Sequence, residues 1–387
     1  MNSLERTPVA PVGRREHERA AVVTAATESP ERRQERANKG TSMDNSKGRY
    51  WDKPWSLIDG CTPCSPGCEH CWSAAMTQRF GGKGRLVDED GNPFMIEDGK
   101  FTGEIKLHPE RLDIPLRTRK PTVFAVWNDL FHEDVPDKFR DDAYAVMHGC
   151  DRHTYLILTK RADNLRRFMR DNFLPGYRGR DHIWHGVTVC NQQEADAKIP
   201  ELLKVSGKRW LSIEPMLGPI DFFRCSDAYH DALSSDLKSY RIIDRQYVPD
   251  HACPTCRDSR LGYLQGIDAV VLGGETGPGA RPMHPDWVRG VRDQCQAARV
   301  AFYFKQWGEW GPKAGEDKYA PQCFAFGDGL GDVPVFRVGS KRAGRTLDGR
   351  EWNGLAWNDS KGISFRCIFC GQEHTTVEAC NVCETSH

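Results

Sequence analysis

Apolar positions along this chain fall into short β-rich runs separated by stretches of helical spacing. The runs are Glu104–Leu107, Thr122–Trp127, Thr154–Leu158, Trp184–Val189, Arg209–Ile213, Ala269–Gly273 and Val300–Phe304. Helical spacing covers residues 136–149, 161–172, 192–204 and 285–298 between them. Strands alternating with helices predict βαβ units and a parallel sheet. The number of units predicts an α/β fold built as a partial or complete (β/α) barrel. A doubly wound sheet would give the same alternation.

Polar residues follow directly on the strands: Asn128 and Asp129, Thr159, Lys160 and Arg161, Asn191 and Gln192, Glu214, Glu275 and Thr276, Lys305 and Gln306. In a barrel these C-terminal ends converge on one face, where active sites are built, so the pattern predicts a shared polar site. Glu214 and Lys305 are its candidate catalytic residues. Glu214, at a strand end before Pro215, suits a ligand hydrogen bond or proton transfer. Thr159, Lys160 and Arg161 suit a carboxylate or phosphate. The glycine-rich run from Gly273 and Gly274 through Gly277 and Gly279 to Arg281 suits an anion.

The pattern breaks in four places. Residues 1–46 are charged and poor in large apolar side chains, which predicts a disordered arm. The barrel is expected over 47–314, with a polar insertion at 221–262, an irregular cap at 315–365 and a separate module at 366–387. No apolar run reaches the roughly 18 residues of a membrane span. The N-terminus lacks the apolar core of a secretory signal, and a cytoplasmic protein with no membrane association is expected.

The net charge is zero with 28% charged residues, so bulk charge does not advertise a polyanion partner. The 15 cysteines change the picture more. In a reducing compartment, clustered cysteines point to metal ligands rather than disulfides. The tail places Cys367, Cys370, Cys380 and Cys383 at C-x2-C-x9-C-x2-C spacing. That supplies four thiolates for a closed, structural zinc site, hence a zinc-ribbon-like module. Cys253 and Cys256 form a lone pair that metal binding, redox chemistry or neither can explain. Cys64, Cys68 and Cys71 stand at C-x3-C-x2-C spacing with Trp72 after the last and Cys61 just upstream. Thiolates this close in sequence suit an iron–sulfur cluster. Three ligands would leave one iron open for a substrate or cofactor.

This loop resembles the radical S-adenosylmethionine signature, and the chain resembles the phage-borne three-cysteine-motif family of radical-SAM-like proteins. The likeness runs over roughly residues 50–355 and includes Gly60-Cys61-Thr62, Ser65-Pro66-Gly67-Cys68, Cys71, His108–Leu112, Asp129–Pro136, Leu158–Arg161, Gly186–Val189, Ser212–Pro215, Gly273–Arg281 and Phe304–Gly308. The family pattern falls on Cys61, Cys68 and Cys71, whereas the superfamily spacing is met by Cys64, Cys68 and Cys71. The superfamily spacing favours Cys64 as third ligand, with the choice left open. The resemblance implies a [4Fe–4S] cluster, S-adenosyl-L-methionine and an external electron donor. It implies cofactor contacts near Asn128 and Asp129, with Thr159, Lys160, Gly273, Gly274 and Glu275 as further candidates. A nucleobase or nucleic acid is the expected substrate, on the strength of the ribbon, the basic arm and the phage association. The rival expectation is a non-catalytic zinc protein that binds nucleic acid or a protein.

Overall fold

Seven parallel strands form the central sheet: β1 (Lys53–Pro54), β2 (Val123–Val126), β3 (Thr154–Thr159), β4 (Ile183–Thr188), β5 (Lys208–Ile213), β6 (Ala269–Gly273) and β7 (Ala301–Gln306). They lie side by side in chain order, every neighbour parallel. A doubly wound sheet reverses its strand order at a switch point. This sheet has no reversal, so it curls one way as a partial barrel. The computed structural model describes residues 48–81, 87, 94–174, 177–223, 262–313, 322–326 and 333–357, and the backbone of two hairpins, Tyr240–Ile243 with Gln246–Pro249 and Phe365–Arg366 with Glu373–His374. The arm at 1–46, most of the insertion, and Cys253, Cys256, Cys367, Cys370, Cys380 and Cys383 lie outside the described residues.

Strands β2, β4 and β6 are buried along their whole length, as strands covered on both faces must be. On the outer face, Phe124, Ile157, Val187, Leu211, Leu272 and Phe304 join the main core. The helices that cover it are α2 (Asp137–Gly149), α3 (Ala162–Asn172), α4 (Gln192–Leu203) and α5 (Pro285–Ala297). They contribute Ala143, Leu165, Phe168, Ile199, Leu202, Val288 and Val291. Preceding them, α1 (Trp72–Phe80) starts directly after the last loop cysteine.

The concave face holds a second core of Tyr50, Trp184, Trp210, Val271, Tyr303 and Trp357. Trp357 stands edge-on to Trp184 and Trp210, at 5.2 and 5.7 Å between ring centres. Gly186 makes room for this plug, since a Cβ there would lie 2.4 Å from the Trp210 indole. Among the described residues, the base of the barrel is thus filled with side chains.

One expectation needs correction. Glu104–Leu107 does not enter the sheet; only Lys106–Leu107 is extended, paired antiparallel with Ile58–Asp59. The first sheet strand is instead the exposed Lys53–Pro54, where proline is tolerated because the strand is an edge. Within the stretch read as a cap, Val335 and Leu347 are fully buried, and Val335–Arg337 pairs with Trp310–Gly311 and Cys323–Phe324. Among the described residues, no helix is long and apolar enough to cross a membrane.

Candidate functional site

The strands deliver alternate residues to the concave face, and the β3–β4 and β4–β5 registers set Leu158 beside Gly186 and Thr188 beside Ser212. One step further along the chain, Lys160, Glu214 and Lys305 reach a cavity of ≈ 540 Å³ at the sheet's C-terminal mouth. The Glu214 carboxylate is held by three side chains. It pairs with the Lys305 ammonium at 2.7 Å and accepts from the Tyr50 hydroxyl at 3.0 Å and the Ser212 hydroxyl at 3.4 Å. Gly273 lies beneath it, where a Cβ would sit 3.1 Å from Glu214 Oε1. Burial first, and then the Glu214 charge, push the Tyr50 phenol well above its usual range. Tyr50 therefore remains a proton donor to Glu214.

The cysteine loop lies across this mouth, and Cys61, Cys64, Cys68 and Cys71 all line the same cavity. The Ser65 hydroxyl accepts from Gly67 N at 3.1 Å and starts a single turn over Pro66–Cys68; Cys71 then caps α1. Strand-end residues grip the loop from several sides. Arg161 donates to Thr62 O at 3.1 Å and His132 Nε2 meets Thr62 Oγ1 at 2.8 Å. Arg281 reaches Pro66 O at 3.0 Å and Glu69 Oε2 at 3.1 Å. Gly67 lies so close to Cys190 that a Cβ would come within 2.6 Å of its sulfur. Asn128 completes the hold: it donates to Ile58 O and accepts from Ser73 Oγ of α1 at 3.2 Å. Its φ of 57° is left-handed, a region that asparagine enters more readily than most residues.

Two acids proposed as cofactor ligands are already engaged. Asp129 is buried; its carboxylate accepts from Thr159 Oγ1 at 2.5 Å and Phe131 N at 3.1 Å, and pairs with Arg161 at 2.8 Å. Glu275 takes a two-pronged contact from Arg281 at 2.6 and 2.9 Å. Both arginines then reach out to the cysteine loop, so the two acids position the loop through them. Gly274 is packed just as tightly: a Cβ there would meet Trp307 O at 1.9 Å.

Lys160 differs. Its ammonium makes no hydrogen bond or ion pair among the described residues while lining the cavity. Burial presses its pKa down, but Cys68, Cys190, Cys71 and Asp129 together carry it above the usual value. Hydrogen bonding from the Cys64 thiol holds Cys68 low and pushes Cys64 up, with Lys160 also favouring the Cys68 thiolate. Burial pushes Cys61 up to about 11, against the nearby Arg161 guanidinium at 4.0 Å.

No three His, Cys, Asp or Glu among the described residues converge on one point fit for a single metal ion. A cubane asks for something else: each thiolate takes its own iron, so the sulfurs ring a shared space. Four cysteines around one cavity, with a free ammonium facing them, fit that demand as a donor set. Sequence reading gave no role to Tyr50, or to His132 within the Asp129–Pro136 segment. Their partners lie 164 and 70 residues away in the chain.

A family model matches residues 45–356. The chain belongs to that family, described as "Protein of unknown function (DUF5131)". The DUF5131 match takes in the whole parallel sheet, the cysteine loop and the strands packed after β7, and stops before Cys367. No curated protein and no solved structure matches the chain.

Proposed function

We propose that this chain is a radical S-adenosylmethionine-like iron–sulfur enzyme that modifies or repairs a nucleobase or nucleic acid. The observation that carries the reading is the cysteine loop laid over the mouth of a parallel sheet, with all four thiols lining the cavity that Lys160, Glu214 and Lys305 enter. Cys68 and Cys71, with Cys64 or Cys61 as third ligand, would hold a [4Fe–4S] cluster. When bound, cluster and S-adenosyl-L-methionine would supply one-electron chemistry able to abstract a hydrogen atom from a substrate.

The protein's own groups do the rest. Lys160 offsets thiolate charge and offers an ammonium to an anionic group in the cavity. Tyr50, Ser212 and Lys305 fix the Glu214 carboxylate, so that Glu214 or Lys305 can exchange a proton with a bound substrate. The aromatic plug closes the base of the barrel and keeps water from entering there. Arg161 and Arg281 hold the loop in register with the strand ends.

Anaerobic reconstitution tests the reading. The protein should turn brown, contain iron and sulfide, and release 5′-deoxyadenosine with reductant and S-adenosyl-L-methionine. Cys68→Ala and Cys71→Ala should abolish the colour. A Cys64→Ala protein that keeps a full cluster while Cys61→Ala loses it would assign the third ligand to Cys61. A colourless protein holding only zinc would overturn the reading.

A further inference from the structure

The cavity has one aromatic wall that the chemistry above does not use. Trp51 stands edge-on to Trp127, with ring centres 5.5 Å apart, and Trp127 is edge-on to Trp72 at 5.9 Å. From Trp72 the apolar surface continues outward along α1 through Met76 and Phe80, four residues apart and so on one side of the helix. Trp72, Met76 and Phe80 are 55%, 50% and 63% exposed. An apolar helix face normally turns inward; this one runs from the cavity out to solvent.

Both ends of the track carry arginine. The Arg49 guanidinium lies over the Trp51 ring at 4.8 Å, and that of Arg79 over the Phe80 ring at 5.1 Å. Among the described residues neither arginine forms an ion pair. Other arginines at the cavity are committed, Arg161 to Asp129 and Arg281 to Glu275. Two uncommitted guanidinium groups beside exposed rings provide positive charge for a backbone and π-faces for bases. That combination is how single strands are bound without regard to sequence. A duplex keeps its bases stacked inside and offers the rings nothing. The track ends at the cavity mouth, where an unstacked base would meet Lys160, Glu214 and Lys305.

We infer that the Trp51–Trp127–Trp72 wall and the exposed face of α1 form a binding track for single-stranded nucleic acid, which feeds one base into the cavity. The inference rests on the proposed nucleobase chemistry and names the form in which that substrate arrives. Phosphates meet Arg49 and Arg79; bases stack on Trp72 and its neighbours.

The test is binding of a short, fluorescently labelled single-stranded DNA to the full-length protein by anisotropy, with the matching RNA and the matching duplex alongside. Single strands should bind more tightly than duplex. Trp72→Ala should weaken binding roughly 5- to 150-fold, the range one stacked base contributes. Arg79→Ala should lower the slope of log affinity against log salt by about 0.7. Both side chains are exposed, and circular dichroism would check that the variants stay folded. Equal affinity for duplex, no binding, or unchanged binding by both variants would overturn the inference. So would a Trp72→Ala protein that binds DNA normally but no longer accepts electrons from a redox partner, which would assign the face to a protein. Release of 5′-deoxyadenosine without DNA binding would overturn the track and leave the radical reading standing. DNA binding by a colourless protein would do the reverse.

Discussion

Arg161 meets Asp129 at 2.8 Å, Glu133 at 2.7 Å and Thr62 O at 3.1 Å, with its side chain 6% exposed. Removing it would leave the buried Asp129 carboxylate without its counter-charge. Arg161→Ala should therefore cost about 3 kcal/mol or more in urea unfolding. Lysine cannot reproduce a fork that serves three acceptors, so Arg161→Lys should restore only part of the loss. Glu214→Gln is a contrasting case: it keeps the shape and removes the charge facing Lys305. That variant should reconstitute a full cluster and unfold at a urea concentration close to wild type, while substrate turnover falls at least tenfold. Polar residues after each strand were legible in the sequence because β-strand ends at a barrel mouth leave a regular mark. Which of them would pair was not legible. The Asp129–Arg161 pair and the Tyr50–Glu214 contact depend on strand packing, and nothing local in the chain encodes either.

Among the elements, β4 shows how a strand can be constrained on both faces. Gly186 faces Trp210, and Gly186→Ala would force the ring or the strand to shift, at a cost of about 1–3 kcal/mol. Its neighbour His185 points the other way and meets the Tyr144 hydroxyl of α2 at 2.9 Å. Burial pushes this imidazole down from 6.5 to about 3. It stays neutral in the fold, whereas the unfolded chain takes up the proton below pH 6.5. The stabilising contribution is thus complete above pH 6.5 and is lost as pH falls toward 3. Stability should drop by about 1.4 kcal/mol per pH unit in that window from this group. Denaturant midpoints at several pH values would show it, and His185→Gln should flatten the slope. Helices α2 to α5 were readable from spacing because each buries one face against the sheet. By contrast, α1 was missed: its large apolar residues face solvent and break the inward pattern. Strand β1 was missed because two residues, one of them proline, carry no periodicity.

For the whole molecule, sequential strand order separates a curled sheet from a doubly wound one, and alternation of strands and helices cannot make that distinction. Closure of the base depends on the two ends of the described fold. Trp357 donates from its indole to Tyr50 O at 3.1 Å and packs against Trp184 and Trp210. Trp357→Ala should cost about 3–5 kcal/mol. It should also loosen Tyr50, so turnover would fall further than cluster content; parallel iron analysis and product assays would separate the two. The Tyr50–Trp357 contact also bears on biosynthesis. Chains emerge from the ribosome N-terminus first, so Cys61 to Cys71 are exposed long before β7 brings Lys305, and longer still before Trp357 arrives to seat Tyr50. Until then the cysteine loop has neither its mouth nor its floor. A ribosome stalled before residue 357 would therefore hold these thiols with no enclosed site around them.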